Sequence, residues 1–155
     1  MLYQYLARGL LYGCIGLLIE VFFTGFHSLF IKHWKATGYT YVWMLFPYGF
    51  AGLALEGLST SLAWPFYLKA LVYVPIFYGV EGLYGWTLMK VTGKLQEWLG
   101  GSGGGVVPWD YGKSKWSPMG LINLKFAPFW LALALSFDGI SAILRRVVAF
   151  VATMY

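Results

Sequence analysis

GLLYGCIGLLIEVFFTGFHSLFI, the stretch from Gly9 to Ile31, runs for 23 residues with one Asp, Glu, Lys or Arg among them, Glu20. About 20 apolar residues in a helix cross the roughly 30 Å hydrocarbon layer of a bilayer. Lipid offers no hydrogen-bond partners, so the backbone must close its own bonds inside the helix. The stretch therefore reads as a membrane span, and Trp34 and Lys35 beyond it suit the headgroup level. A cleaved signal peptide would have a shorter apolar core and a small-residue cleavage site, so a retained anchor is expected.

The rest of the chain agrees. Of 155 residues, 59% are hydrophobic, 21% aromatic and 11% charged, whereas soluble domains carry about 25% charge. Eleven Lys+Arg and six Asp+Glu cannot coat a globule of this size, and the mean hydropathy is +0.66. These figures exclude a soluble enzyme, a nucleic-acid module and a disordered tail. The net charge of +5 comes from residues flanking apolar runs, where membrane lipids are the expected partner and nucleic acid is not. Cys14 is the only cysteine, so no intrachain disulfide can form.

Three further apolar runs follow. Tyr41 to Leu58 can just span, although Pro47 interrupts it and a re-entrant or broken helix is the alternative. Trp64 and Pro65 open a third run to Met89, in which Pro75 predicts a kink. Met119 to Leu144 is the fourth, closed by Arg145 and Arg146. The long loop 92–118 holds GGSGGG, Gly100 to Gly105, which reads as a flexible tether. A rigid, aromatic Pro108-Trp109-Asp110-Tyr111-Gly112 follows it. No GxxxxGK[ST] is present, so no nucleotide is expected on this chain.

The expected fold is all-α: one polytopic transmembrane domain of four helices, at about 9–31, 41–58, 65–89 and 119–144. Glu20-Val-Phe-Phe-Thr-Gly25 resembles Glu81-Gly-Leu-Tyr-Gly85, which adds an expectation of two parallel two-helix repeats. The Lys and Arg distribution puts the long loop in the cytoplasm and both termini outside.

The charges that interrupt the spans are where chemistry is expected. A carboxylate at the centre of a span costs roughly 2.5–3.5 kcal/mol on insertion scales, so Glu20 needs compensation. Thr24 and His27 follow it on the same helical face. Glu81 lies deep in the third run between Tyr78 and Tyr84. Two such glutamates facing one interior would form a shared site for a proton, a cation or a headgroup. Each could equally be structural, bonded to a neighbouring helix. Trp43 and Tyr48 beside Pro47, with Trp109, Asp110 and Tyr111, are the expected lid or mouth; Asp110 could instead cap a turn. Glu56, nearer an interface, reads as structural, and Asp138 and Arg145 as solvated or snorkelling at a membrane edge. Gly79, Gly82 and Gly85 are a packing signal. His27 and His33 lack further ligands, so no metal is expected, and no catalytic constellation or cofactor motif is visible.

Several pieces resemble a known family. They are Glu20-Val-x-Phe-Thr24, Val42-Trp43-x-Leu-Phe46-x-Tyr48-Gly49, Glu81, Pro108-Trp109-Asp110-Tyr111 and Met119-Gly120-Leu121-Ile122-x-Leu124. Together they are similar to the bacterial ABC-transporter permease family of the CmpB type, and to the related vertebrate transmembrane protein 229 group. The likeness covers about Leu11 to Trp130. It implies a four-helix protein of the bacterial inner membrane with a transport role, dependent on a partner ATPase for any ATP-driven step. The chain departs from that pattern in its Gly-rich stretch and at Lys125, where the family carries an acidic residue.

The functional expectations rank in three classes. First is a permease-like or lipid- and amphiphile-binding protein with a polar intramembrane site. Second is an accessory subunit with a membrane-protein partner or a homo-oligomer. Third is a lipid-modifying intramembrane enzyme using Glu20, His27 or Asp110; an enzyme is the less favoured expectation.

Overall fold

The computed structural model describes residues 2–30, 34–105, 111, 112, 114–117 and 120–154. Among them the fold is all-helical. The four α-helices are α1 (Leu2–Phe30), α2 (Leu45–Ser61), α3 (Phe66–Trp98) and α4 (Ala127–Ala152). Short 3-10 turns, Val42–Met44 and Leu124–Phe126, lead into α2 and α4. Three helical segments are long and apolar enough to cross a membrane: Leu2–Leu29, Phe66–Trp98 and Leu124–Ala152. The fourth helix, α2, is not among them. Its 17 residues make about 25 Å of helix at 1.5 Å per residue. The three candidate spans are mostly uncovered by the protein itself, with 17–22% of their apolar windows buried. Side chains such as Leu18, Leu71, Leu83 and Ile143 are exposed accordingly, as consistent with a membrane protein, whose solvent is hydrocarbon.

Several boundaries differ from the sequence reading. The helix α1 starts at Leu2 rather than Gly9, because the Leu-Tyr-rich start continues the helix without a breaker. The apolar run at Tyr41 becomes helical only at its 3-10 turn, so Pro47 falls in the first turn of α2, where its missing N–H is harmless. The helix α3 passes through Pro75 and continues to Trp98, beyond the expected end at Met89. The GGSGGG stretch is not a free tether. Gly101 N donates to Gln96 O at 2.7 Å and Gly105 N to Gln96 Oε1 at 2.9 Å, folding the loop back on α3. Gly103 and Gly105 adopt φ of +71°, a conformation open to glycine at little cost.

The chain divides into two compact units, Met1–Ala63 with Phe137–Tyr155, and Trp64–Ser136. In the first, α1 and α2 form an antiparallel hairpin closed by glycines. A Cβ on Gly13 would lie 2.6 Å from the Leu45 carbonyl oxygen, and one on Gly49 would lie 2.7 Å from that of Gly9. Gly16 is pressed by the ring of Tyr48 and Gly52 by the ring of Tyr12. Small residues at this spacing let backbones approach where lipid supplies no hydrophobic drive between helices. The later part of α4 completes the unit: Phe137 stacks on Tyr12 at 5.8 Å, and Ser141, Leu144 and Val148 are buried. In the second unit, Trp130 stacks on Phe77 at 5.1 Å and meets Tyr78 and Phe129 edge-on.

Candidate functional site

The first unit holds two carboxylates on the α1–α2 seam, and they are satisfied differently. Glu56 of α2 is buried and saturated. Its Oε1 accepts from Arg8 Nε at 2.9 Å, and its Oε2 accepts from the Tyr12 hydroxyl at 2.9 Å. Arg8 is three-quarters of the way back along the hairpin, its guanidinium also lying over the Tyr5 ring. Both charges are paired, so the cluster is a structural clasp of the kind a low-dielectric interior tolerates. The expectation that Glu56 is structural agrees with this geometry; its burial and its ionic partner were not legible. Asp138 is likewise no free edge charge, since its Oδ1 accepts from Ser59 Oγ at 2.8 Å.

Glu20 is different. It continues the glycine face of α1, the positions 9, 13, 16 and 20, which recur at the 4-3-4 spacing of a helical seam. Its Oε2 accepts twice, from Thr40 Oγ1 at 2.6 Å and from the Tyr48 hydroxyl at 3.0 Å. Among the described residues no donor is placed on Oε1 and no basic side chain pairs with the group. Glu20 is half-buried.

The connection between α1 and α2 builds this site. Gly38 packs on the Val21 carbonyl, and the Ala36 carbonyl oxygen lies 3.0 Å from where a Cβ on Gly25 would stand. Tyr39 N donates to Thr24 Oγ1 at 2.8 Å, and that hydroxyl has the carbonyl oxygens of Glu20 and Tyr39 within reach, both at 2.9 Å. Thr24 thus tethers the returning chain one residue before Thr40 and so delivers Thr40 to Glu20. Glycines at 25 and 38 are required because any side chain there would lift the segment away.

Of the expected site residues in this unit, Glu20, Thr24 and Tyr48 are brought together. His27 is exposed in the last turn of α1. Trp43 is exposed on the 3-10 turn before α2. In the second unit, Glu81 is half-buried on α3, with Tyr78 on the turn before it. The Tyr78 hydroxyl donates to the Asn123 carbonyl at 3.4 Å, and Tyr111 N donates to the Gly120 carbonyl while its ring meets Phe126. Tyr78 and Tyr111 are therefore both tied to segment 120–126. Trp109, Asp110 and His33 lie outside the described residues.

Thr40 and the Arg8–Tyr12–Glu56 cluster were not singled out from the sequence. A signal existed for the seam: Gly9, Gly13 and Gly16 share the face of Glu20. None existed for Thr40, whose contact depends on how the connection turns back. No known protein-family profile matches the chain, and no solved structure matches it significantly.

Proposed function

We propose that this is a small integral membrane protein that binds a cationic, hydrogen-bond-donating group of an amphiphile at Glu20. One observation carries the reading: the contrast between two carboxylates on one seam. Glu56 has both oxygens and its charge satisfied, as structural glue would. Among the described residues, Glu20 has one oxygen fixed by two hydroxyls, no donor on the other and no cation beside it. Holding a carboxylate by one oxygen sets the direction of the other, which is how a site is preorganised for a donor. The permease-like reading extends this, with transport as the use of the site and Glu81, Tyr78, Trp109, Asp110 and Tyr111 as a second polar centre. The likeness to the CmpB-type permeases and the four-span topology with a cytoplasmic long loop belong to the same proposal.

Decylamine, decanol and decanoate titrated against the purified protein in detergent test it, with tryptophan and tyrosine fluorescence as the readout. Decylamine should saturate, the other two should not, and Glu20→Gln should abolish the saturation without changing helical content. Equal responses to all three amphiphiles, or an unchanged Glu20→Gln variant, would refute the reading.

A further inference from the structure

The connection between α1 and α2 also reports depth. Residues 36–41 are non-helical, with Tyr41 at φ −110° and ψ 138°, and they run back along α1 from the level of Gly25 to that of Glu20. Their outer side is open: Ala36, Thr37, Tyr39 and Tyr41 are exposed. Extended backbone open to its surroundings cannot lie in hydrocarbon, where nothing would meet its amides and carbonyls. The hydrocarbon layer therefore begins at about Glu20 and Val42.

Counting along the helices agrees. From Leu2 to Val21 is about 20 residues, close to 30 Å of helix, which is one hydrocarbon thickness. From Val42 to Ser61 is again about 20 residues of 3-10 turn and α2. Aromatic residues ring both ends of this interval. Tyr3 and Tyr5 are exposed at one, and Tyr39, Tyr41 and Trp43 at the other, as the belts at membrane–water interfaces require. Glu20 then stands at the headgroup level, not at the midplane that the apolar run alone suggests.

We propose that Glu20 receives the primary ammonium of a phosphatidylethanolamine headgroup at that level; this rests on the reading of Glu20 as a binding site given above. Oε1 has no donor among the described residues, and a partner that brings both positive charge and an N–H would complement it better than water does. A primary ammonium brings both. A choline headgroup brings charge with no donor, and a glycerol headgroup brings donors with no positive charge. Free ethanolamine carries the same ammonium but no acyl chains to hold it at this layer. The two sources therefore differ in affinity and not in contact chemistry.

Two measurements on the full chain in lipid nanodiscs test the proposal. For depth, single cysteines are placed at Leu10 or Tyr39 in a Cys14→Ser background and challenged with a charged maleimide. Both side chains are exposed on the protein, so any difference reports lipid. Tyr39→Cys should react and Leu10→Cys should be protected. Equal protection of both overturns the depth assignment and leaves the Glu20 site itself standing. For the ligand, lipid retained after mild extraction from a mixed phosphatidylethanolamine–phosphatidylglycerol bilayer is quantified by mass spectrometry. Phosphatidylethanolamine should be enriched about tenfold, the scale of one charge-assisted hydrogen bond. Glu20→Gln should return the ratio to that of the bilayer, and Thr40→Val should lower it, with Thr40→Ser retaining it. Enrichment that survives Glu20→Gln overturns the proposal. Saturable, Glu20-dependent binding of free ethanolamine without lipid enrichment overturns the lipid source alone. Absence of saturable decylamine binding by the parent protein as well would mean that the underlying reading has failed.

Discussion

Breaking the Arg8–Glu56 pair is expected to be the most damaging single change in the first unit. The two groups are 2.9 Å apart, with side chains 11% and 7% exposed. At that separation and an effective dielectric of 20, their attraction is about 6 kcal/mol before desolvation is subtracted. Removing one partner of a buried pair typically costs about 3–5 kcal/mol, because the other charge stays buried and uncompensated. Glu56→Ala also strips the Tyr12 hydroxyl of its acceptor, so the upper part of that range, about 4–5 kcal/mol, is expected. Arg8→Met/Glu56→Met removes both charges and should recover most of that loss, to within about 2 kcal/mol of the parent protein, since no buried charge is left alone and only the Tyr12 hydroxyl loses its acceptor. Reversible unfolding in mixed micelles of rising SDS fraction, followed by circular dichroism, gives the two free energies. A Glu56→Ala variant within 1 kcal/mol of the parent, or a double variant as unstable as the single one, would refute the view that Glu56 is a structural clasp.

Four other outcomes are expected. On the glycine seam, Gly13→Val should destabilise by at least about 2 kcal/mol, since even its Cβ would lie 2.6 Å from the Leu45 carbonyl. Gly79→Ala, with nothing within 4 Å, should be neutral or stabilising by up to about 1 kcal/mol in the same SDS titration. In the loop, Gly103→Ala at φ +71° should loosen the fold-back on Gln96, read as faster amide exchange across 96–105 with the global midpoint unchanged. Before α4, Asn123→Ala removes the side-chain acceptor of Lys125 N, now at 3.1 Å, and should lower the thermal midpoint by an amount equivalent to about 1 kcal/mol.

Particular residues show how far the sequence carries. The solvent of this protein was legible in the run from Gly9 to Ile31 and in the 11% of charged residues, because hydrocarbon rejects charge wherever it falls along a helix. That α1 and α2 pair was not read from the sequence, although Gly9, Gly13 and Gly16 stand at helical spacing. The ends of α1 and α3 were not legible, because the residues beyond the apolar runs are still good helix formers and nothing local stops them. The Gly-rich stretch misled for a related reason. Composition allowed a tether, and two hydrogen bonds to Gln96, one accepted by its carbonyl and one by its side chain, decided otherwise.

For the site the division is sharper. By itself the sequence determined that Glu20, Glu56 and Glu81 interrupt apolar surroundings, since that is a property of each residue and its neighbours in the chain. Only the tertiary structure decided which carboxylate is compensated. Arg8 reaches Glu56 because the helices run antiparallel, and Thr40 reaches Glu20 because Thr24 holds the returning chain. Hydrogen bonds are short-ranged and directional, so their partners are chosen by the path of the backbone in space. That path, far more than residue type, left Glu56 closed and, among the described residues, one oxygen of Glu20 without a donor.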